Sequence, residues 1–193
     1  MDQLHRDEWL IGLSSWVIQD GNYVDIAVGE RRRFAVGFFA DDLHEGAPGL
    51  KHAKALREAS YEVSGQVIVA DHSLVMLDFG LLTYTDSRPP SAARGDWLAG
   101  RVSLEVDCYS YFEIHANKRG VPPAVYAWTI TGIWRQTAPF IPDAAKGPRW
   151  LKRDPGRFGW GWLDRTDAWS DDDGHAEYLL RCRLEADAPM RHP

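Results

Sequence analysis

A chain of 193 residues, 45% of them hydrophobic, is long enough for one large domain or two small ones, and it can bury a core. With that composition a packed core, and not disorder, is the default. A net charge of −6, from 22 basic and 28 acidic residues, argues against general affinity for nucleic acid or anionic membranes but leaves room for a local basic patch. Two cysteines, Cys108 and Cys182, are too few for a secreted-type disulfide framework. The N-terminal residues are polar, without the order of a signal peptide, and no apolar run reaches the roughly 18 residues of a membrane helix. The expected location is therefore the cytoplasm.

Trp9–Gln19 is apolar on both faces and reads as a buried strand. Asp20-Gly21 is a turn signal, since it tolerates positive φ, and Tyr23–Val28 reads as the returning strand. Gly29–Arg33 is a charged connection, Phe34–Ala40 a third strand and Asp41–Gly49 a loop. Leu50–Ala59 is the helix candidate, with Leu50, Ala53 and Leu56 on one face. Tyr61–Ala70 alternates, Asp71–Ser73 turns, and Leu74–Tyr84 reads as a central strand. Asp86–Gly95, with Pro89-Pro90, is a surface loop or linker.

The longest alternation runs from Trp97 to His115. Leu98, Val102, Leu104, Val106 and Cys108 share one face; Arg101, Glu105, Asp107, Tyr109, Tyr111, Glu113 and His115 share the other. Ala124–Gln136 is a further strand, 138–173 is irregular and rich in Pro, Gly and Trp, and His175–Ala186 closes the chain with clean alternation. Both cysteines fall on apolar strand faces and read as buried free thiols, with a disulfide open to them only if their strands are neighbours.

About eight strands make this an all-β chain, an antiparallel β-barrel or sandwich of OB-like or Greek-key type with one short helix. Residues 1–193 read as a single β domain; the alternative is two small barrels split near 86–95. Residues 61–69 and 96–104 echo each other, both carrying apolar-x-Gly-x-Val-x-apolar. A glycine inside a long strand marks a bend at a barrel corner, the form of the first strand of an OB-type barrel.

No Walker loop, nucleophile elbow, zinc-protease pair or cofactor fingerprint is present. The leading expectation is a non-catalytic binding or interaction module for a small molecule or protein. Its ligand face would combine Arg101, Glu105, Asp107, Tyr109, Tyr111, Glu113 and His115 with Trp150, Trp160 and Trp162, because rings flanked by charges line ligand grooves. A second reading is an OB-like binder of single-stranded nucleic acid. It would use Arg31, Arg32, Arg33, Lys146, Arg149, Lys152, Arg153 and Arg157, since cations meet phosphates while bases stack on rings. A third is a small hydrolase or isomerase in a barrel mouth, where paired carboxylates such as Glu105 and Asp107, or Glu113 with His115, supply acid and base. The acidic turn Asp171, Asp173 and His175 offers oxygen-rich metal ligands, although its spacing fails the EF-hand pattern; the ordinary role of such a turn is to lead into the last strand.

Overall fold

The computed structural model describes residues 7–86, 91–143 and 145–192, without the side chains of 147–149. Residues 1–6, and 87–90 of the expected loop, lie outside the described residues. In chain order the elements are β1 (Glu8–Ser14), α1 (Ser15–Gln19), β2 (Arg31–Phe34), β3 (Val36–Glu45), β4 (His52–Arg57), β5 (Ser60–Asp71), β6 (Leu74–Asp78), β7 (Leu82–Thr85) and β8 (Trp97–Val106). A π-helix (Ser110–His115) follows, then β9 (Tyr126–Gln136), β10 (Phe140–Asp143), β11 (Gly147–Arg153), β12 (Trp160–Leu163) and β13 (Glu177–Leu184).

Five strands close a barrel in the order β8-β3-β7-β6-β5 and back to β8. Every neighbouring pair is antiparallel except β3 and β7. β1 joins β8 in parallel and carries the sheet outward through β13 and β9, whose free edge takes β2 and β12. Strands on both sides of residues 86–95 therefore share one barrel, because β8 lies between β3 and β5. The expected alternation holds along β8: Leu98, Val102, Leu104 and Val106 face a core shared with Tyr61, Val63 and Phe38. Cys182 is buried in this core and Cys108 is half-buried; both are free thiols.

The two echoing segments are adjacent antiparallel staves, paired from Ser60↔Ser103 to Gln66↔Trp97. Their glycines admit neighbouring backbone. A Cβ on Gly65 would lie 2.6 Å from the Asp78 carbonyl oxygen. One on Gly100, at φ +138°, would lie 1.8 Å from that of Asp42, where β3 bulges between Ala40 and Asp42.

Several expected elements change. The run Trp9–Gln19 is strand only to Ser14; α1 then turns the chain, closed by Asp20 N–H donating to the Trp16 carbonyl and by Gly21 at φ +90°. Residues 23–28 form no strand; Ala27 makes an isolated bridge to Arg165, beyond the end of β12, and Ile26 enters the core. Arg31–Arg33 belong to a strand instead of a connection, and β3 continues to Glu45 through the expected loop. The Leu50–Ala59 segment is not helical: β4 is an exposed edge strand on β5, where cross-strand pairing overrides a modest helix propensity. Leu74–Tyr84 folds as a hairpin, turning at Phe79-Gly80-Leu81. The stretch 138–173 holds the β10–β11 hairpin and β12.

The largest correction concerns Trp97–His115, where the strand ends at Val106. Asp107, 1% exposed, accepts hydrogen bonds from the Tyr84 hydroxyl and the Tyr111 backbone N–H, and Tyr109 takes φ +90° to start the π-helix. A side-chain carboxylate that offers the backbone an alternative to the ladder ends the strand there.

Gly100→Ala is expected to destabilise the fold by about 3 kcal/mol or more, since backbone on two strands must separate. Gly80→Ala, also at positive φ but with open space around its Cβ position, should cost only about 1 kcal/mol. Urea unfolding of the two variants checks the contrast.

Candidate functional site

One rung of the sheet crosses seven strands on its outer face: Trp162↔Trp134↔Leu179↔Gly12↔Glu105↔Gly37↔Tyr84. Glu105 has a glycine on either side. A Cβ at Gly37 would sit 3.5 Å from Glu105 Cγ, and one at Gly12 would sit 3.3 Å from the Leu104 carbonyl oxygen. The glycines leave a notch holding the glutamate. Here β8 also changes partner, from β5 through Ser103 to β1 at Glu105, and the sheet splays.

Three depressions of about 270, 440 and 550 Å³ meet around Trp16, whose indole is 52% exposed because α1 buries Ser15, Val17 and Ile18 instead. Glu105 and Phe39 line the first two, and Glu177 lines the first and third. Trp160 closes one end, Phe140 and Trp150 another. The charged lining among the described residues is Glu58, Asp86, Glu105 and Glu177, with His175 at one margin; no Lys or Arg whose side chain is described lines the cleft. Arg153 lies beside the third depression: it acts on Glu177, donates to the His175 carbonyl at 2.9 Å, lies over the Phe140 ring and pairs with Asp172.

Burial first, then the charges of Asp107, Asp86 and Glu177, push the Glu105 carboxyl up to about 7. Glu177 is also raised by burial, opposed by the Ser14 hydroxyl donating to it at 2.6 Å and by Arg153. Burial raises Asp107 to about 6 against the hydrogen bonds it accepts. Glu105 itself accepts no side-chain hydrogen bond and has no ion-pair partner among the described residues. Two residues lining the smallest depression carry solvent-inaccessible polar atoms, Trp160 Nε1 and Gln136 Oε1, without hydrogen-bond partners among the described residues.

Of the ligand face expected from the sequence, Glu105, Trp150 and Trp160 line this cleft. Asp107, Tyr109, Tyr111 and His115 do not lie on a wet face: all are at most 3% exposed, because the strand ends before them and the π-helix folds them inward. Tyr111 donates to the Pro122 carbonyl at 2.6 Å. Burial and Lys118, at 3.0 Å from Nδ1, depress the His115 imidazole, and Asp86 lies 3.5 Å from Nε2. Glu113 is exposed on the π-helix, so it forms no buried pair with His115. Arg101 is exposed beside Asp42. Trp162, 51% exposed, packs edge-on against Trp134 and extends the rung beyond the cleft. Trp16, Phe39 and Glu177 were missed. Trp16 is hidden in an apolar run, although Asp20-Gly21 just after it is also a helix-stop signal.

The basic residues fall into two groups at opposite ends of β9. Arg31, Arg32 and Arg33 lie on β2, against Thr129–Ala127, beside a hollow lined by Tyr23, Tyr109 and Phe112. Arg31 pairs with Asp187 and Arg32 with Glu30. Lys146, Lys152 and Arg153 lie on or beside the β10–β11 hairpin; Lys152 pairs with Asp143, Lys146 lies 5.8 Å from the Trp150 ring centre, and Arg157 is exposed. The Arg149 side chain lies outside the described residues. At the acidic turn, Asp171 accepts from Arg135 at 2.7 Å and from the Tyr178 hydroxyl at 2.9 Å, while Asp173 is exposed and the exposed His175 lies edge-on to Phe140. No group of three or more His, Cys, Asp or Glu among the described residues is placed to hold a metal ion.

No protein-family model, curated protein or solved structure matches the chain. No helix among the described residues is long and apolar enough to cross a membrane.

The Glu105 proton gives a signed expectation. Its folded value of about 7 lies above its ordinary 4.5. Between the two, the unfolded chain releases a proton that the folded chain keeps, so stability falls as pH rises through this window and levels off above it. Glu105→Gln removes that loss. The variant should match the native protein near pH 4.5 and exceed it by up to about 3 kcal/mol near pH 8. Urea unfolding across this range checks it, and parallel curves would contradict the assignment.

Proposed function

We propose that this chain is a non-catalytic binding module whose ligand lies in the Trp16 cleft. The observation that carries the reading is the pairing of an outward-facing indole with a carboxylate in a glycine-flanked notch, at the point where the sheet splays. Concave sites combine apolar faces with a few fixed polar groups, and the cleft has both. The free thiols fit a reducing compartment such as the cytoplasm.

Strand order supports an OB-like description of the barrel. β5, β6, β7, β8 and β3 follow one another as the five strands of an OB barrel do, with the last supplied from the front of the chain. OB barrels bind oligonucleotides on the face of their second and third strands. The equivalent strands here, β6 and β7, are covered on their outer side: Leu74, Met76 and Tyr84 pack against Tyr111, Val121 and Val125. This favours the carboxylate-lined cleft over a nucleic-acid surface, since phosphates need cations.

The test follows Trp indole N–H signals by NMR while the protein is titrated with methyl glucoside, benzoate, benzylammonium and a ten-residue oligothymidine. The Trp16 and Trp160 signals are expected to move saturably with at least one small molecule. Trp16→Ala should abolish the response while changing stability by less than about 1 kcal/mol, because the ring is exposed. Oligothymidine shifting the Arg31–Arg33 amides, with Trp16 silent throughout, would replace this reading with the nucleic-acid one.

A further inference from the structure

Resting on the cleft reading above, we propose that the Trp16 cleft takes an organic cation, a primary ammonium or amidinium on a flat apolar stem, with Glu105 as its counter-ion. Glu105 is hemmed in by protein yet has neither hydrogen bond nor ion pair from a side chain among the described residues. Gly12 and Gly37 keep its flanks open. The charges acting on it are acidic: Asp107 on its own chain segment, Asp86 beyond β7, and Glu177 on β13; the Cys108 thiol and the Tyr84 phenol, both neutral with their pKa values raised, share its depression. Glu58, on the β4–β5 turn at φ +51°, lines the same depression. The neighbours from β1 and β3, Ser14 and Phe39, are uncharged. A carboxylate with like charges around it and no cation gains most from a cationic guest.

The aromatic faces fit the same guest. Trp16 is 52% and Phe39 47% exposed at the cleft, and a cation is drawn to the face of an indole or phenyl ring. An anionic guest would find no counter-charge among the described residues of the lining. One chemistry has two sources, a free amine or a lysine side chain of a peptide.

The test is calorimetric titration of the full chain with benzylammonium, its neutral counterpart benzyl alcohol, its anionic counterpart benzoate, and acetyl-Phe-Lys-amide. Benzylammonium should bind at least tenfold tighter than benzyl alcohol, and benzoate should not saturate. Whichever of benzylammonium and the peptide binds tighter names the source. Glu105→Gln should weaken benzylammonium at least tenfold, with fold retained by circular dichroism. The native affinity should rise about tenfold from pH 6 to pH 8, as Glu105 ionises, and that rise should vanish in the variant. Equal binding of benzyl alcohol or benzoate, or an unchanged Glu105→Gln, overturns the cation while leaving the cleft standing. Silence of Trp16 and Trp160 toward every compound overturns the cleft itself.

Discussion

Glycine on both sides of a glutamate in the middle of a sheet removes the neighbours that would normally cover it. At the Gly12↔Glu105↔Gly37 rung this has two consequences. The β1 backbone comes close enough to β8 to bridge in parallel at that single pair, which a side chain at 12 would crowd against the Leu104 carbonyl. The carboxylate, in turn, keeps an open side while protein surrounds it elsewhere. The outer half of the sheet, β1, β13, β9 and β12, joins the ladder of the barrel through this contact. The cleft is therefore a product of how two parts of one sheet are joined.

A second group of polar residues, near in sequence, has a different task. Asp107 ends β8 by taking hydrogen bonds from Tyr84 and from the backbone that follows, and Tyr109 turns the chain at φ +90°. A buried carboxylate costs stability unless it is hydrogen-bonded, and these bonds fall on the segment where the chain must stop being a strand. Tyr111, Val121 and Val125 then cover the outer side of β6 and β7 and close that face of the barrel. The Trp16 side stays open as a concave surface.

The sequence carried the barrel better than the site. Alternation marked Leu98 to Val106 inward and Glu105 outward, and both are so. The glycines at 65 and 100 were legible as bends because a strand interior rarely has another use for them. Alternation could not show where it should stop: Tyr109, Tyr111 and His115 keep the period of two, and what removes them from the strand is a hydrogen bond from Tyr84, 23 residues upstream of Asp107. Trp16 was hidden because Ser15, Val17 and Ile18 are apolar or small enough to pass for strand. Glu177 and Glu105 are 72 positions apart, and only the pairing of both neighbouring strands with β1 brings them to one cleft. The Leu50–Ala59 helix failed because its pattern was weak and β5 offered an open edge.

The side-chain carboxyl carbon of Glu105, followed by NMR against pH, reads the notch without help from any ligand. A midpoint near 7 is what a glycine-flanked carboxylate among Asp86, Asp107 and Glu177 must show. A midpoint near 4.5 would mean that water or an unseen cation already reaches it, and that the notch between Gly12 and Gly37 is not the desolvated pocket described here.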